Sequence, residues 1–230
     1  MNDKKITKLL QFYLLATELK NVIRTGWKQW HVDKERLESV AEHIYGTCIL
    51  AIAIDSEFDL NIDIYKVMMM LILHEIEEIK IGDLTPFNKV TQQEKRELGK
   101  QAVEQVFNLL SKKTEYIELI EEFENMQTRE SKFAKMCDKL EADIQCKKYC
   151  EEKCIDINNP DNKQWLEDER VKRILGNGEK TVSDLFIEND RPIFSEKIVE
   201  EIADFVKSNN LLELKWYRKR WLKLWKEKFI

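Results

Sequence analysis

Residues 64–80 run Ile64-Tyr65-Lys66-Val67-Met68-Met69-Met70-Leu71-Ile72-Leu73-His74-Glu75-Ile76-Glu77-Glu78-Ile79-Lys80. The spacing predicts a helix that is apolar on most sides until His74, and all-round hydrophobicity marks a helix sunk in a core. Gly82-Asp83 stops it, and Pro86 keeps the chain from resuming at once. A second helix of the same kind is expected at 38–55, where Cys48-Ile49-Leu50-Ala51-Ile52-Ala53-Ile54 fills the apolar half.

Composition extends that reading to the whole chain. The 230 residues contain only 6 Gly and 3 Pro, where average usage would supply roughly 27 between them. Strand-rich folds need these residues at frequent turns, and a dinucleotide fold or a P-loop needs a glycine cradle for phosphate. A sandwich, a barrel and a Rossmann sheet are therefore excluded in favour of an all-α fold. The charge balance, 38 Lys+Arg against 43 Asp+Glu, gives a net −5 and argues against a general polyanion binder.

The remaining elements follow from periodicity. A first amphipathic helix is expected over 5–24 (Ile6, Leu9, Leu10, Tyr13, Leu14, Val22), ended by Arg24-Thr25-Gly26-Trp27 and a polar loop to about residue 36. Charged helices are expected at 92–113 and 114–128, and a further helix at 129–152 carries Phe133, Met136, Leu140 and Ile144. Residues 155–191 read as loop-rich with short helices, followed by helices at 195–208 and 210–228. The expected organisation is a core of residues 1–154 with a helical extension, 155–230, packed on it as one structural domain.

Met1-Asn2-Asp3-Lys4-Lys5 leads into no signal-peptide apolar stretch, and the apolar run from Val67 to Leu73 is far short of the roughly 18 residues a membrane span needs. Five cysteines without a CxxC pair read as reduced thiols of a cytoplasmic protein.

Of the 3 histidines, His43 and His74 lie in the most apolar helices, each beside an acid (Glu42, Glu75). A single buried histidine is ordinarily a satisfied core residue. Two of them, with Asp138 in a later apolar helix, are harder to place, because each buried polar group costs several kcal/mol unless compensated. A divalent ion would compensate all of them, and mixed imidazole and carboxylate ligation with open positions is the arrangement of a catalytic ion. His74-Glu75 first suggests H-E-x-x-H, but position 78 is Glu78, so that motif lacks its defining ligand. Instead His74 and Glu78 share one helix face at i, i+4, leaving Glu78 as a free carboxylate one turn on, or as a solvated acidic helix end.

Four blocks then stand in register: Glu38-Ser39-Val40-Ala41-Glu42-His43, Leu73-His74-Glu75-Ile76-Glu77-Glu78, Gly82-Asp83-Leu84-Thr85-Pro86 and Asp138-Lys139-Leu140-Glu141. Together they resemble the HD-domain metal-dependent phosphohydrolases, in particular the 5′-deoxynucleotidase branch, as does the upstream segment from Leu19 to Trp27. The resemblance covers roughly residues 5–150 and implies an HD-domain helical bundle. It implies that His43, His74, Glu75 and Asp138 ligate one divalent metal ion, for which mixed N/O ligands suit Mn, Co, Fe, Ni or Zn. Glu78 would be the catalytic carboxylate, Asp83 would orient water or the leaving oxygen, and Arg24 and Trp27 would meet phosphate and nucleoside, with Ser39 and Thr85 as polar contacts. The implied reaction is hydrolysis of deoxynucleoside 5′-monophosphates by metal-activated water, in a homodimer.

One position departs from the family pattern: the dyad's second member is usually Asp and here is Glu75. Glutamate keeps the donor atoms and adds a methylene, so the alternative is a member with altered or lost catalysis serving as a metal-stabilised binding module. Cys146, Cys150 and Cys154 at intervals of four, and Met68-Met69-Met70, read as packing. The basic aromatic stretch 215–228 reads as a terminal helix packed on the body or on a partner subunit, in preference to a nucleic-acid or membrane contact.

Overall fold

Ser39 opens the longest apolar helix of the first half with a reciprocal cap. Its hydroxyl accepts from the Glu42 amide (3.3 Å) while Glu42 Oε2 accepts from the Ser39 amide (3.0 Å). This S-x-x-E box satisfies two backbone donors that helix geometry leaves orphaned. In the computed structural model, which describes residues 2–85, 90–176 and 180–214 (the Gln92 side chain apart), the same kind of local logic sets twelve α-helices. Pro86 and the 215–230 tail lie outside the described residues.

The helices are α1 (Asn2–Ala16), α2 (Thr25–Gln29), α3 (Val40–Phe58), α4 (Ile64–Leu73), α5 (Glu78–Ile81), α6 (Gln92–Phe107), α7 (Lys113–Asn125), α8 (Arg129–Glu151), α9 (Lys163–Leu166), α10 (Glu169–Leu175), α11 (Val182–Asp190) and α12 (Lys197–Ser208). Among the described residues the only β-pairing is one antiparallel bridge between Ile23 and Ser39, flanked by Arg24 N to Glu38 O at 3.0 Å and Val40 N to Val22 O at 2.8 Å. The chain is all-α, as composition requires.

Two sequence expectations shift. The first helix ends at Ala16, a 3-10 turn follows at Thr17–Lys20, and α2 forms where a loop was expected. The third helix does not run through to residue 80. It breaks after Leu73 into tight turns, with Ile76 N bonded to Leu73 O and Glu78 N to Glu75 O, each at 3.1 Å, before α5 resumes.

The chain divides into two compact units, 1–141 and 142–230, with the boundary inside α8. In the first unit, Leu19, Val40, Leu73, Ile76, Val103, Val106, Phe107 and Ile120 form one buried cluster. It wedges α3, α4, α6 and α7 together and fixes the depth of the residues that follow Leu73. In the second unit, α10, α11 and α12 bury Val171, Ile187 and Val199, and Glu151 accepts from the amides of Leu211 (3.0 Å) and Leu212 (3.1 Å). All five cysteines are free thiols. Among the described residues no helix is long and apolar enough to cross a membrane.

Candidate metal centre

Four donors from three segments of the first unit converge. His43 comes from the first turns of α3, His74 and Glu75 from the break after α4, and Asp138 from the middle of α8. One donor atom from each lies within 4.8 Å of every other. His43 Nε2 lies 3.1 Å from Asp138 Oδ1 and 4.0 Å from Glu75 Oε1, and His74 Nε2 lies 3.5 Å from Glu75 Oε1 and 3.6 Å from Asp138 Oδ1. Donors sharing one ion at about 2.1 Å stand roughly 3.0–4.2 Å apart, so all four separations suit a common ion.

The state of His74 strengthens the fit. Its Nδ1 is 2.7 Å from the Leu71 carbonyl, which can only accept, so Nδ1 donates and Nε2 is the nitrogen that faces the cluster. Nε2 is buried and has no hydrogen-bond partner. Its carboxylate neighbours at 3.5 and 3.6 Å are beyond hydrogen-bond length. A buried ring nitrogen left without a bond is costly unless a ligand takes it up, and a shared cation would do so. His43 is held at both nitrogens, with Nδ1 2.6 Å from Glu141 Oε2 and Nε2 on Asp138.

The electrostatics are those of a nest built for positive charge. Burial and the Arg24 charge press the His43 pKa down, but the bonds to Asp138 and Glu141 outweigh them and push it up to about 9. Burial would raise Glu75, yet the charges of His74 and Arg24 bring it down to about 2. Burial likewise opposes ionisation of Asp138, but Lys139, Lys135 and the two imidazoles hold it well below the usual carboxylate range. Glu78 is driven the other way, up to about 11, by burial and then by the Glu75 and Asp83 charges. Its Oε2 is also buried without a partner.

The remaining expected residues each have partners of their own. Arg24 Nη1 donates to Glu75 Oε1 at 3.3 Å, and Asp83, just past the Gly82 helix stop (φ 71°), accepts at Oδ2 from the Thr25 amide at 2.5 Å. Thr85 donates to Gln29 Oε1 at 2.9 Å. Two of the expected contact residues have structural tasks: Ser39 caps α3, and Trp27, only 2% exposed, sends its indole N–H to Glu38 Oε2 at 2.8 Å. The structure therefore brings His43, His74, Glu75, Asp138, Arg24 and Glu78 together and ties Asp83 to the start of α2. The motif blocks contain Glu141 and Glu38 without giving either a role. The signal for Glu141 was its i, i+3 relation to Asp138, which puts both on one face of α8.

A family model described as "HD domain" matches residues 16–174, more than half of the chain. The chain belongs to the HD-domain family. The 5′-deoxynucleotidase HDDC2 of Dictyostelium discoideum is 32% identical to this HD-domain chain over 151 residues, covering 63% of it and 78% of the relative. The 5′-deoxynucleotidase HDDC2 of Homo sapiens is 34% identical over 143 residues, covering 61% and 68%. Among solved structures, a predicted metal-dependent phosphohydrolase from Magnetospirillum magnetotacticum MS-1 shares the HD-domain fold at a TM-score of 0.64 and 22% identity, covering 90% of this chain and 92% of that one. A conserved hypothetical protein from Pyrococcus furiosus superposes at a TM-score of 0.54 with 27% identity, covering 71% and 92%.

Proposed function

We propose that this HD-domain chain is a metal-dependent phosphomonoester hydrolase that removes phosphate from deoxynucleoside 5′-monophosphates, with residues 1–154 as its catalytic core and 155–230 as a helical extension. The observation that carries the reading is the convergence of four donors around a buried, unpartnered His74 Nε2. The curated relatives named 5′-deoxynucleotidase supply the substrate class.

In this reading His43, His74, Glu75 and Asp138 hold one divalent ion from the group Mn, Co, Fe, Ni and Zn. Such an ion supplies Lewis acidity toward a phosphoryl oxygen and lowers the pKa of water. Arg24 offers its remaining N–H groups to the phosphate, matching a dianion with a planar fork. Glu78 Oε2 is buried without a partner, and a carboxyl whose pKa is pushed up so far carries a proton, so Glu78 is the group that gives a proton to the leaving 5′-oxygen. Asp83 orients the leaving group from the Gly82 turn. Thr85 and Ser39 are polar contacts, and Trp27 acts by holding the Arg24 segment as well as by any contact with the nucleoside.

The altered dyad does not favour a degenerate binding module, because Glu75 Oε1 reaches both imidazoles and Arg24. A homodimer in the cytoplasm belongs to the same proposal. α1 leaves Leu9, Tyr13 and Leu14 exposed for a second copy to cover, and the free thiols suit a reducing compartment. Light scattering on the purified chain checks the dimer.

The test is phosphate release from a panel of deoxy- and ribonucleoside monophosphates with Mn²⁺ or Co²⁺, comparing the natural chain with His74→Ala and Glu78→Ala. Metal-dependent release from the deoxynucleotides, lost in both variants, is expected. No metal-dependent release from any member of the panel would falsify the reading.

A further inference from the structure

We propose that Glu141 is the positioning residue that fixes the His43 ring for the ion, and that position 46 is glycine to leave room for its carboxylate. The inference rests on the metal-centre reading above and gives roles to two residues outside the donor cluster, Glu141 of the fourth motif block and Gly46.

Each imidazole of the centre has one nitrogen turned inward and one turned outward. For His74 the outward Nδ1 is held by backbone, the Leu71 carbonyl at 2.7 Å. For His43 the outward Nδ1 is held by a side chain, Glu141 Oε2 at 2.6 Å. A carboxylate accepts and cannot donate, so it keeps a proton on Nδ1, and a bound cation would take the place of the Nε2 bond to Asp138. It also fixes the plane of the ring. Without it His43 can exchange tautomers or turn away from Asp138.

Gly46 supplies the second, independent observation. It lies inside α3, three residues after His43, and it is not among the positive-φ glycines. Its backbone therefore does not require glycine, and glycine inside a helix is less favourable than alanine. Space does require it: a Cβ at position 46 would stand 2.8 Å from Glu141 Cδ and nearer still to Glu141 Oε1. That contact involves the carboxylate end that is already bonded to His43, so relief by rotation would break the bond. The turn of α3 after His43 is thus a notch shaped for Glu141.

The experiment is calorimetric titration of the full chain with Mn²⁺, for the natural sequence and for Glu141→Ala, Glu141→Gln and Gly46→Ala, alongside ¹⁵N spectra of the imidazoles in the Zn²⁺-loaded proteins. Affinity should fall about 10–100-fold in Glu141→Ala, the usual effect of deleting such a partner. Glu141→Gln should recover part of it, because the amide oxygen still accepts the Nδ1 proton without the charge. Gly46→Ala should weaken Mn²⁺ binding in the same direction, although alanine favours the helix. The proton on His43 Nδ1 should be present in the natural protein and lost or exchanging in Glu141→Ala. Gly46→Ala and Glu141→Gln keep the question open to decision should Glu141→Ala not fold. Binding of Mn²⁺ by these variants within twofold of the natural chain overturns the role of Glu141 alone. No binding by the natural chain overturns the metal-centre reading, and this inference with it.

Discussion

Arg24 Nη1 and Glu75 Oε1 are 3.3 Å apart, with both side chains mostly buried at 16% and 15% exposure. The same oxygen faces His74 Nε2 at 3.5 Å. One carboxylate oxygen thus stands between a guanidinium and an imidazole, so substrate anion and bound cation would meet across Glu75. Replacing Arg24 by Ala should lower kcat/KM for deoxynucleotides by about a hundredfold or more, since a charge-assisted fork is lost. Affinity for Mn²⁺ should not fall, because a positive neighbour has been removed. Lysine should rescue poorly, as a point charge without the fork. Calorimetry beside steady-state kinetics separates the two effects.

Glu75→Asp draws the carboxylate back by roughly 1.5 Å, one carbon–carbon bond. Because Glu75 Oε1 already reaches its neighbours from its present backbone position, the shorter side chain should bind Mn²⁺ about tenfold less tightly. Phosphate release should fall with it. A gain in either quantity would show that the longer side chain is a handicap the rest of the site tolerates.

Addition of metal should raise the melting temperature, and a chelator should reverse the rise. An ion at a hundred times its dissociation constant stabilises the folded state by about 2.7 kcal/mol. The increment should vanish in His74→Ala, whose melting temperature should be the same with and without Mn²⁺. Differential scanning fluorimetry across a metal series reads this directly.

Phe123 is fully buried, with its ring centroid 5.2 Å from that of His74 and Lys135 Nζ 4.4 Å from its centre. Phe123→Ala should cost about 3–5 kcal/mol in urea unfolding, the range for emptying an aromatic site in a core. Phe123→Leu should cost less while still loosening the His74 ring, seen as weaker Mn²⁺ binding in a folded protein.

Lys66 pairs with Glu122 at 2.7 Å, joining α4 to α7, and Thr128 also donates to Glu122. Burial would raise the Glu122 pKa, but these bonds and the Lys66 charge lower it. A depressed folded-state value means that the stabilisation is fully present above the unfolded pKa, near 4.3, and is lost as pH falls through the folded value. The effect should stay below about 1 kcal/mol, because Lys66 is a third exposed and water screens the pair. Glu122→Gln should flatten the slope of unfolding free energy with pH in the acid range and leave stability above pH 6 little changed apart from the lost pair.

Most helices were legible because their apolar residues recur at helical spacing, and the all-α class followed from the shortage of Gly and Pro. The break after Leu73 was not. His74-Glu75-Ile76-Glu77 carries no helix breaker, and the turn tightens there where the His74 ring donates to the Leu71 carbonyl and Glu78 is drawn into the core. The first is a local i to i−3 side-chain bond and the second a tertiary effect, and helix propensity records neither. The donor quartet was legible as buried polar residues in apolar helices. Glu141 closes the fourth motif block, but its role was not legible, since an acid three residues from another looks like any solvated helix face until His43 is seen against it. Ser39 shows the opposite ambiguity: its S-x-x-E spacing serves a capping box, which the motif reading did not draw out.

The Ile23–Ser39 bridge clamps the chain at both ends of residues 24–38, with Arg24 on one side and the start of the His43 helix on the other. A loop fastened in this way can gain or lose residues at its tip without moving its feet. The exposed tip from Asp33 to Arg36 is therefore a permissive insertion point. A peptide tag or fluorophore grafted there would report from the edge of the site while leaving the spacing between anion clamp and cation nest intact, and natural length variation among relatives should collect at the same place.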